Sequence, residues 1–79
     1  MRWQDYIERR PDVMVGKPVI KGTRITVELI LERLGNGASE GDLLSDYPHL
    51  RPEHIRAAQA YAAAALSQDE LVFLADESR

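Results

Sequence analysis

The sequence predicts a small, mainly α fold: a three-helix helix-turn-helix bundle, homeodomain- or winged-helix-like, with a short N-terminal β-hairpin. Its 79 residues fit a single domain. Apolar residues recur at helical spacing in three segments, each preceded by a residue type that favours a helix start. Ahead of these segments, β-branched residues flank a Lys-Gly pair, as in a tight hairpin. We divide the chain into a domain over residues 1–67 and a C-terminal tail over residues 68–79.

The N-terminal segments are rich in aromatic and β-branched residues. The segment WQDYIERR, residues 3–10, alternates weakly and predicts a short strand. Pro11 ends that strand, because proline cannot donate to a β-ladder. Val13 to Val15 predict a second short strand. Residues 19–26 predict a tight hairpin in which Gly22 takes a positive φ, a conformation that glycine adopts without steric cost.

The first two helices carry clear start and stop signals. Thr26 is a suitable N-cap for a helix that ends at the GNG sequence of residues 35–37. Ser39, followed three residues later by Asp42, resembles a capping box and predicts a short second helix over residues 40–46. The first helix places one apolar stripe on a single face: Val27, Ile30, Leu31 and Leu34.

A third helix is predicted over residues 52–66, with Pro52 in its first turn, where proline is tolerated. The short helix, brief turn and longer helix of residues 39–66 have the layout of a helix-turn-helix. The third helix places four apolar residues on one stripe: Ile55, Ala58, Ala62 and Leu66. Ala57, Ala60 and Ala64 form a second stripe, which we interpret as a homodimer interface because alanine lets another backbone approach closely. The alternative is that these alanines only favour helix formation.

Charge is unevenly distributed along the chain. The net charge is -3, yet residues 1–33 carry seven basic against five acidic side chains, and residues 34–79 carry three against eight. A basic part can bind nucleic acid even where the whole chain is acidic. We expect Arg24 to pair with an acid such as Asp46 or Glu28. The candidate DNA contacts are Lys17, Lys21, Arg51, His54 and Arg56.

The sequence predicts no enzyme, metal or cofactor site. His49 and His54 lie near Asp46 and Glu53, but a spacing of five residues across a turn does not match the HExxH register of a metalloprotease. The chain has no cysteine, and no serine has an evident base. No apolar run approaches the ~20 residues that span a bilayer, and the first ten residues lack a signal-peptide core. We therefore expect a cytoplasmic protein.

Two strings in the chain carry a resemblance to a known family. GKPVIKGTRITVELIL and LGNGASEGDLLSDYPHLRPEHIRAAQAYAA are similar to sequences of domain-of-unknown-function family 433, and the resemblance covers residues 4–65. It implies an antitoxin-like helix-turn-helix protein encoded beside a PIN-like nuclease toxin, as in VapB–VapC-type pairs, with its own operator DNA as a second partner. The family favours Thr or Ser before the third helix, so Arg51 implies a lost side-chain cap at that position.

The tail contains four successive apolar residues between acidic residues: Leu71, Val72, Phe73 and Leu74. One interpretation is a final element that covers the protein's own core, and the other is a segment that docks on the toxin and orders on binding. The resulting hypothesis is a homodimeric, DNA-binding antitoxin that neutralises a nuclease and represses its own operon. The alternative is a protein-interaction or dimerisation module with no nucleic-acid role.

Overall fold

Three α-helices and a two-stranded antiparallel sheet make up the computed structural model, which describes residues 1–68. The strands are β1 (Ile7–Glu8) and β2 (Val19–Ile20). The helices are α1 (Val27–Gly35), α2 (Glu40–Asp46) and α3 (Pro52–Gln68). The predicted fold class, mainly helical with an N-terminal β element, is confirmed. The apolar tail residues Leu71, Val72, Phe73 and Leu74 lie outside the described residues.

The sheet joins segments that are distant in sequence. Ile7 of β1 lies opposite Ile20 of β2, and Glu8 lies opposite Val19. The strand predicted over residues 3–10 is therefore only two residues long and is preceded by a 3₁₀ turn at Trp3–Asp5. Its apolar side chain, Ile7, is buried. The predicted tight hairpin over residues 19–26 is present as a single bridge between Val19 and Thr26, and Gly22 has a φ of 79°.

The strand predicted at Val13 to Val15 is wrong. Met14 and Val15 have positive φ values of 49° and 56°, and Gly16 continues this left-handed turn at 78°. Left-handed backbone brings Cβ close to the following carbonyl oxygen, which costs roughly 1–2 kcal/mol per residue for L-amino acids. A β-branched residue is especially uncommon there. The side chain of Val15 is 92% exposed, so burial does not offset this cost within the described chain.

The predicted caps of α1 and α2 form in the structure. The hydroxyl of Thr26 accepts a hydrogen bond from the backbone N–H of Leu29 at 2.9 Å. Ser39 and Asp42 form a reciprocal capping box, with N···O distances of 3.0 and 2.9 Å. These hydrogen bonds lower the pKa of Asp42, because they favour the ionised carboxylate. Both helices therefore begin where their capping residues direct them.

The start of α3 is capped by a residue that the sequence did not suggest. The backbone N–H of Arg51 donates to Nδ1 of His54 at 3.0 Å, so the third residue of α3 reaches back to the residue before the helix. Glutamate or glutamine usually makes this contact in a capping box. His54 thus makes one half of a capping box, and the His54 N–H, which a Thr or Ser side chain would accept, donates to the Arg51 carbonyl at 2.9 Å.

The core lies where α1, α2 and α3 pack together against the sheet. Its largest fully buried side chains are Val19, Ile20, Ile30 and Leu43. Burying each such side chain stabilises the fold by about 1.5–3 kcal/mol. The sheet and all three helices therefore share one core.

One part of the predicted dimer interface belongs to this core. Ile55 and Ala58 face the core, but Ala57 is also fully buried there. Because α3 is covered over a wide arc at this point, Ala57 is not accessible to a second subunit, and its assignment to the interface is wrong. Ala60 and Ala64 are half-buried, and their interface role stays a prediction.

None of the helices within residues 1–68 combines the length and the apolar character that crossing a bilayer requires.

Candidate nucleic-acid interface

The tip of the β2–α1 hairpin lies beside the start of α3. The backbone N–H of Lys21 donates to the carbonyl of Tyr6 at 2.8 Å. The ring of Tyr6 meets the ring of His54 edge to face, with centroids 5.8 Å apart. Through Tyr6, these two contacts link the backbone of Lys21 to His54, and through His54 to Arg51, whose N–H donates to the His54 ring.

The same tip borders the turn between α2 and α3. One shallow depression is lined by Gly22, Thr23 and Ile25 on the hairpin side and by Tyr47, Pro48 and His49 on the turn side. Thr23 fixes the tip, since its hydroxyl donates to the carbonyl of Ile20 at 2.8 Å and accepts from the N–H of Ile25 at 3.0 Å. The hairpin therefore stands next to the helix-turn-helix layout as a small wing.

Two arginines join this arrangement. Arg10 and Arg24 line a second depression together with Asp12, Gly22 and Thr23. The expected pairing of Arg24 is wrong, because Asp46 binds Arg33 at 2.7 Å and Glu28 binds Lys17 at 3.0 Å. Within residues 1–68, no carboxylate lies within salt-bridge distance of Arg24. We call the following set the tip surface: Arg10, Lys21, Arg24, Arg51 and His54.

Nearby acidic groups partly neutralise the positive charge of the tip surface. A carboxylate oxygen of Glu8 accepts from the N–H of Gly22 at 3.0 Å and lies 3.8 Å from Arg10. Glu53 lies 4.0 Å from Arg51, and Asp12 lies beside Arg24. Lys21 and Arg24 at the tip are exposed and carry the least compensated charge.

His54 is a poor cation in this setting. Burial lowers the pKa of His54, and the nearby Arg51 lowers it further, against the smaller opposing effect of Glu53. The neutral ring is also the form that can accept the Arg51 N–H at Nδ1. His54 therefore shapes the tip surface and caps α3, and near neutral pH it adds no positive charge for a phosphate.

Two of the predicted DNA contacts lie apart from the tip surface. Lys17 is bound to Glu28 of α1 at 3.0 Å. Arg56 is exposed on α3, two residues after His54 and therefore about 200° around the helix from it. Lys21, Arg51 and His54 are connected through Tyr6, whereas Lys17 and Arg56 lie outside these contacts.

Arg10 was not among the sequence candidates, and Arg24 was assigned to an ion pair. The sequence feature that could have indicated both arginines is their position in the basic N-terminal third, on either side of the turn at Gly22. Their approach depends on the pairing of β1 with β2, a contact between distant segments that no local pattern indicates.

This arrangement can contact a phosphate backbone through flexible cations, which fixes orientation without reading sequence. The outward face of α3 offers Arg56 and Gln59 as exposed polar side chains. In the part of the chain that the structure describes, no three histidine, aspartate or glutamate side chains converge as a metal site would require.

Comparison with known proteins places this geometry in a family. The family model described as "Protein of unknown function (DUF433)" matches residues 7–62, well over half of the chain. The chain belongs to the DUF433 family. The match spans both strands, all of α1 and α2, and most of α3. The resemblance of residues 4–65 to this family is thereby confirmed.

A solved DUF433 structure has a similar fold. The crystal structure of a DUF433 member protein from Anabaena variabilis aligns with a TM-score of 0.76 and 34% sequence identity, over 82% of this chain and 64% of that one. A DUF433 relative in Sinorhizobium fredii, the uncharacterized protein y4eO, is 34% identical over 61 residues. These residues are 77% of this chain but 28% of the relative, so the chain spans less than two thirds of either protein.

Proposed function

We propose that this DUF433 protein is an antitoxin-like DNA-binding protein of the cytoplasm, which represses its own operon and neutralises a PIN-like nuclease. The observation that carries the DNA-binding part is the tip surface, where a fixed hairpin brings cations beside a helix-turn-helix layout. The toxin-binding part rests on the family resemblance and on the sequence of the apolar tail, which lies outside the described residues.

Contact with DNA would run mainly through phosphates. Lys21 and Arg24 project from a turn that Thr23 holds rigid, and Arg51 lies at the start of α3. Each phosphate contact releases condensed counterions, so binding weakens as salt rises, with a slope of about −0.9 in log K against log salt per contact. The acids around the tip reduce this attraction, and we expect moderate affinity.

The test is fluorescence anisotropy with duplex DNA from immediately upstream of the protein's own coding sequence, measured at several salt concentrations. The variant Lys21→Ala/Arg24→Ala/Arg51→Ala should bind more weakly, with a slope shallower by roughly 2–3. The matched control Arg2→Ala/Arg33→Ala/Arg56→Ala removes the same net charge from residues outside the tip surface. Equal losses in the two triple variants would show that binding follows net charge alone and would contradict a role for the tip surface.

Toxin neutralisation is tested separately by co-expression with the neighbouring nuclease. Deletion of residues 68–79 should abolish rescue of growth while circular dichroism of the shortened chain stays helical. Rescue by the shortened chain would place the toxin contact within residues 1–67. An unfolded shortened chain would assign the tail to the protein's own core.

The alternative function, a protein-interaction module without DNA binding, is favoured by a different feature. An apolar groove lies between α1 and the C-terminal half of α3, and the exposed Leu66 lines it. Absence of anisotropy change for the unmutated chain at low salt would support this alternative.

A further inference from the structure

Residues 1–68 leave an apolar groove uncovered between α1 and α3. Val27 and Leu31 line it from α1, Pro18 lines its end, and α3 contributes three small or apolar residues and Tyr61. It encloses about 670 Å³, enough for more than one side chain. Among the described residues, Glu28 and Glu32 are the charged groups that line it, and Glu28 is paired with Lys17 of its own chain at 3.0 Å. An occupant should therefore be apolar with basic neighbours.

The left-handed turn at Met14–Gly16 offers a matching shape and charge. Its tip is the Val15 side chain, 92% exposed, and Met14 beside it is 38% exposed. Arg9 and Arg10 line the adjoining surface with Val15, while Asp12 is the one acid in residues 9–16. We call Met14, Val15 and the flanking Arg9 the knob.

Contacts on both sides hold the knob in its uncommon backbone conformation. Nε of Arg9 donates to the carbonyl of Gly16 at 2.8 Å. Nζ of Lys17 binds Glu28 of α1 at 3.0 Å, so the base of the knob is tied to the helix that forms one wall of the groove. Strained backbone persists only where its surroundings impose it, and it concentrates at functional positions.

The knob and the groove lie close together on the molecule. Val15 is three residues from Pro18, which lines the groove, so their Cα atoms are at most about 11 Å apart. The knob cannot readily fill the groove of its own chain, because Lys17 and Pro18 connect the two directly. Because the knob and the groove are neighbours, two chains related by a twofold axis can pack so that each knob enters the groove of the other chain.

We propose that DUF433 chains of this kind form a twofold dimer in which the Val15 knob of each chain occupies the α1–α3 groove of its partner. Arg9 then approaches the rim of the partner's groove, where Glu32 has no basic partner within residues 1–68, so the charges across the contact are complementary. The chain's own tail fits the groove less well, because residues 69–79 carry four acids and one arginine. The proposal is independent of the proposed DNA and toxin binding, because its test uses the full chain alone.

The test is sedimentation velocity of the full 79-residue chain over a range of concentrations. The unmutated protein should reach a plateau at twice its 8.9 kDa mass. Val15→Asn removes the apolar knob with a residue that tolerates positive φ, and Leu66→Arg blocks the groove with a charge that suits the end of a helix. Each should raise the dissociation constant by roughly tenfold or more.

Mixing the two variants tests directly whether the knob of one chain binds the groove of the other. In a mixed pair, the intact knob of the Leu66→Arg chain meets the intact groove of the Val15→Asn chain, so the mixture should associate more tightly than either variant alone. Ala63→Glu serves as a matched control, because Ala63 is exposed on α3 outside the groove and the added charge should leave the dimer intact.

Three outcomes would overturn the proposal. A dimer that resists Val15→Asn but dissociates with Ala60→Glu would assign the interface to the alanine stripe. A mass that keeps growing with concentration would indicate head-to-tail chains. A monomer whose melting temperature falls with Leu66→Arg but not with Val15→Asn would indicate that the protein's own tail covers the groove.

Discussion

The cap that His54 provides to α3 gives a sharp prediction about stability. His54→Ala removes the Nδ1 acceptor of the Arg51 N–H and the edge-to-face contact with Tyr6. His54→Gln removes the aromatic contact but retains an acceptor of the kind that capping boxes use at this position. Comparing the two variants therefore separates the capping contribution from the packing contribution.

The expected magnitude follows from these two contacts. Loss of a helix cap costs about 1 kcal/mol, and loss of an aromatic pair costs about 0.5–1.5 kcal/mol. Alanine's higher helix propensity returns about half a kcal/mol. His54→Ala should thus lower the free energy of unfolding by about 1.5 kcal/mol. For a domain of this size that change lowers the melting temperature by about 6–12 °C.

The free energy of unfolding should rise with pH because of His54. Burial lowers the pKa of His54 in the folded chain below its ordinary value of 6.5. The unfolded state therefore binds more protons over this interval, and the free energy of unfolding rises with pH. The stabilising contribution of neutral His54 is complete above about pH 6.5 and is lost as the pH falls through the folded-state pKa. Protonation of Nδ1 also removes the acceptor that caps α3.

The assay is urea unfolding followed by circular dichroism from pH 5 to 8. The wild-type chain should lose stability towards pH 5, and His54→Gln should lose less over the same interval. His49→Gln is the matched control, because His49 is exposed in the turn before α3 and caps nothing within residues 1–68. A His54→Ala chain as stable as the wild type at pH 8, or an unchanged pH dependence in His54→Gln, would refute this account of the cap.

Four further predictions concern single positions. Thr26→Ala should lower the free energy of unfolding by about 1 kcal/mol, whereas Thr26→Ser should keep the cap of α1, as measured by urea unfolding. Ile30→Ala should cost about 2–5 kcal/mol because Ile30 is fully buried, and thermal melting should show a much smaller effect for the exposed Leu66→Ala. In dilute solution, where the chain is monomeric, Val15→Asn should raise the free energy of unfolding by about 1 kcal/mol through relief of left-handed strain; a lower value would contradict the strain. The pKa of Asp42 is lowered in the folded chain, so its ionised carboxylate contributes fully to the free energy of unfolding above about pH 4, and this contribution is lost below that pH. Asp42→Asn should therefore reduce the loss of stability at acid pH, as measured by urea unfolding.

The helices could be predicted because their signals are local. Thr26, Ser39 and Asp42 lie within a few residues of the groups they cap, and each hydrogen bond is present in the structure. The bounds of α2, residues 40–46, agree fully with prediction. The family match over residues 7–62 likewise follows from contiguous sequence strings.

The remaining features depend on contacts between distant segments. Val13 and Val15 have strand propensity, yet backbone hydrogen bonds from Gly16 to Val13 and from Lys17 to Met14 close that segment into a left-handed turn. Arg24 was expected to pair with Asp46 or Glu28, but Arg33 and Lys17 reach those acids instead. Helical periodicity also could not show that Ala57 is covered, because coverage depends on how the sheet and α1 approach α3.

Arg10 belongs to both proposed surfaces, so its replacement should affect both activities. It lines the depression with Arg24 at the hairpin tip and the depression with Val15 beside the knob. Arg10→Ala should therefore weaken both DNA binding and dimerisation, while Arg51→Ala should weaken DNA binding and leave the dimer intact. A twofold dimer would also present two tip surfaces related by symmetry, and a protein of that symmetry fits a DNA site with an inverted repeat. If Val15→Asn abolishes the dimer, its DNA affinity should fall as well, because a monomer engages only one half-site. Unchanged affinity in the monomeric variant would mean that each tip surface binds DNA independently of dimer formation.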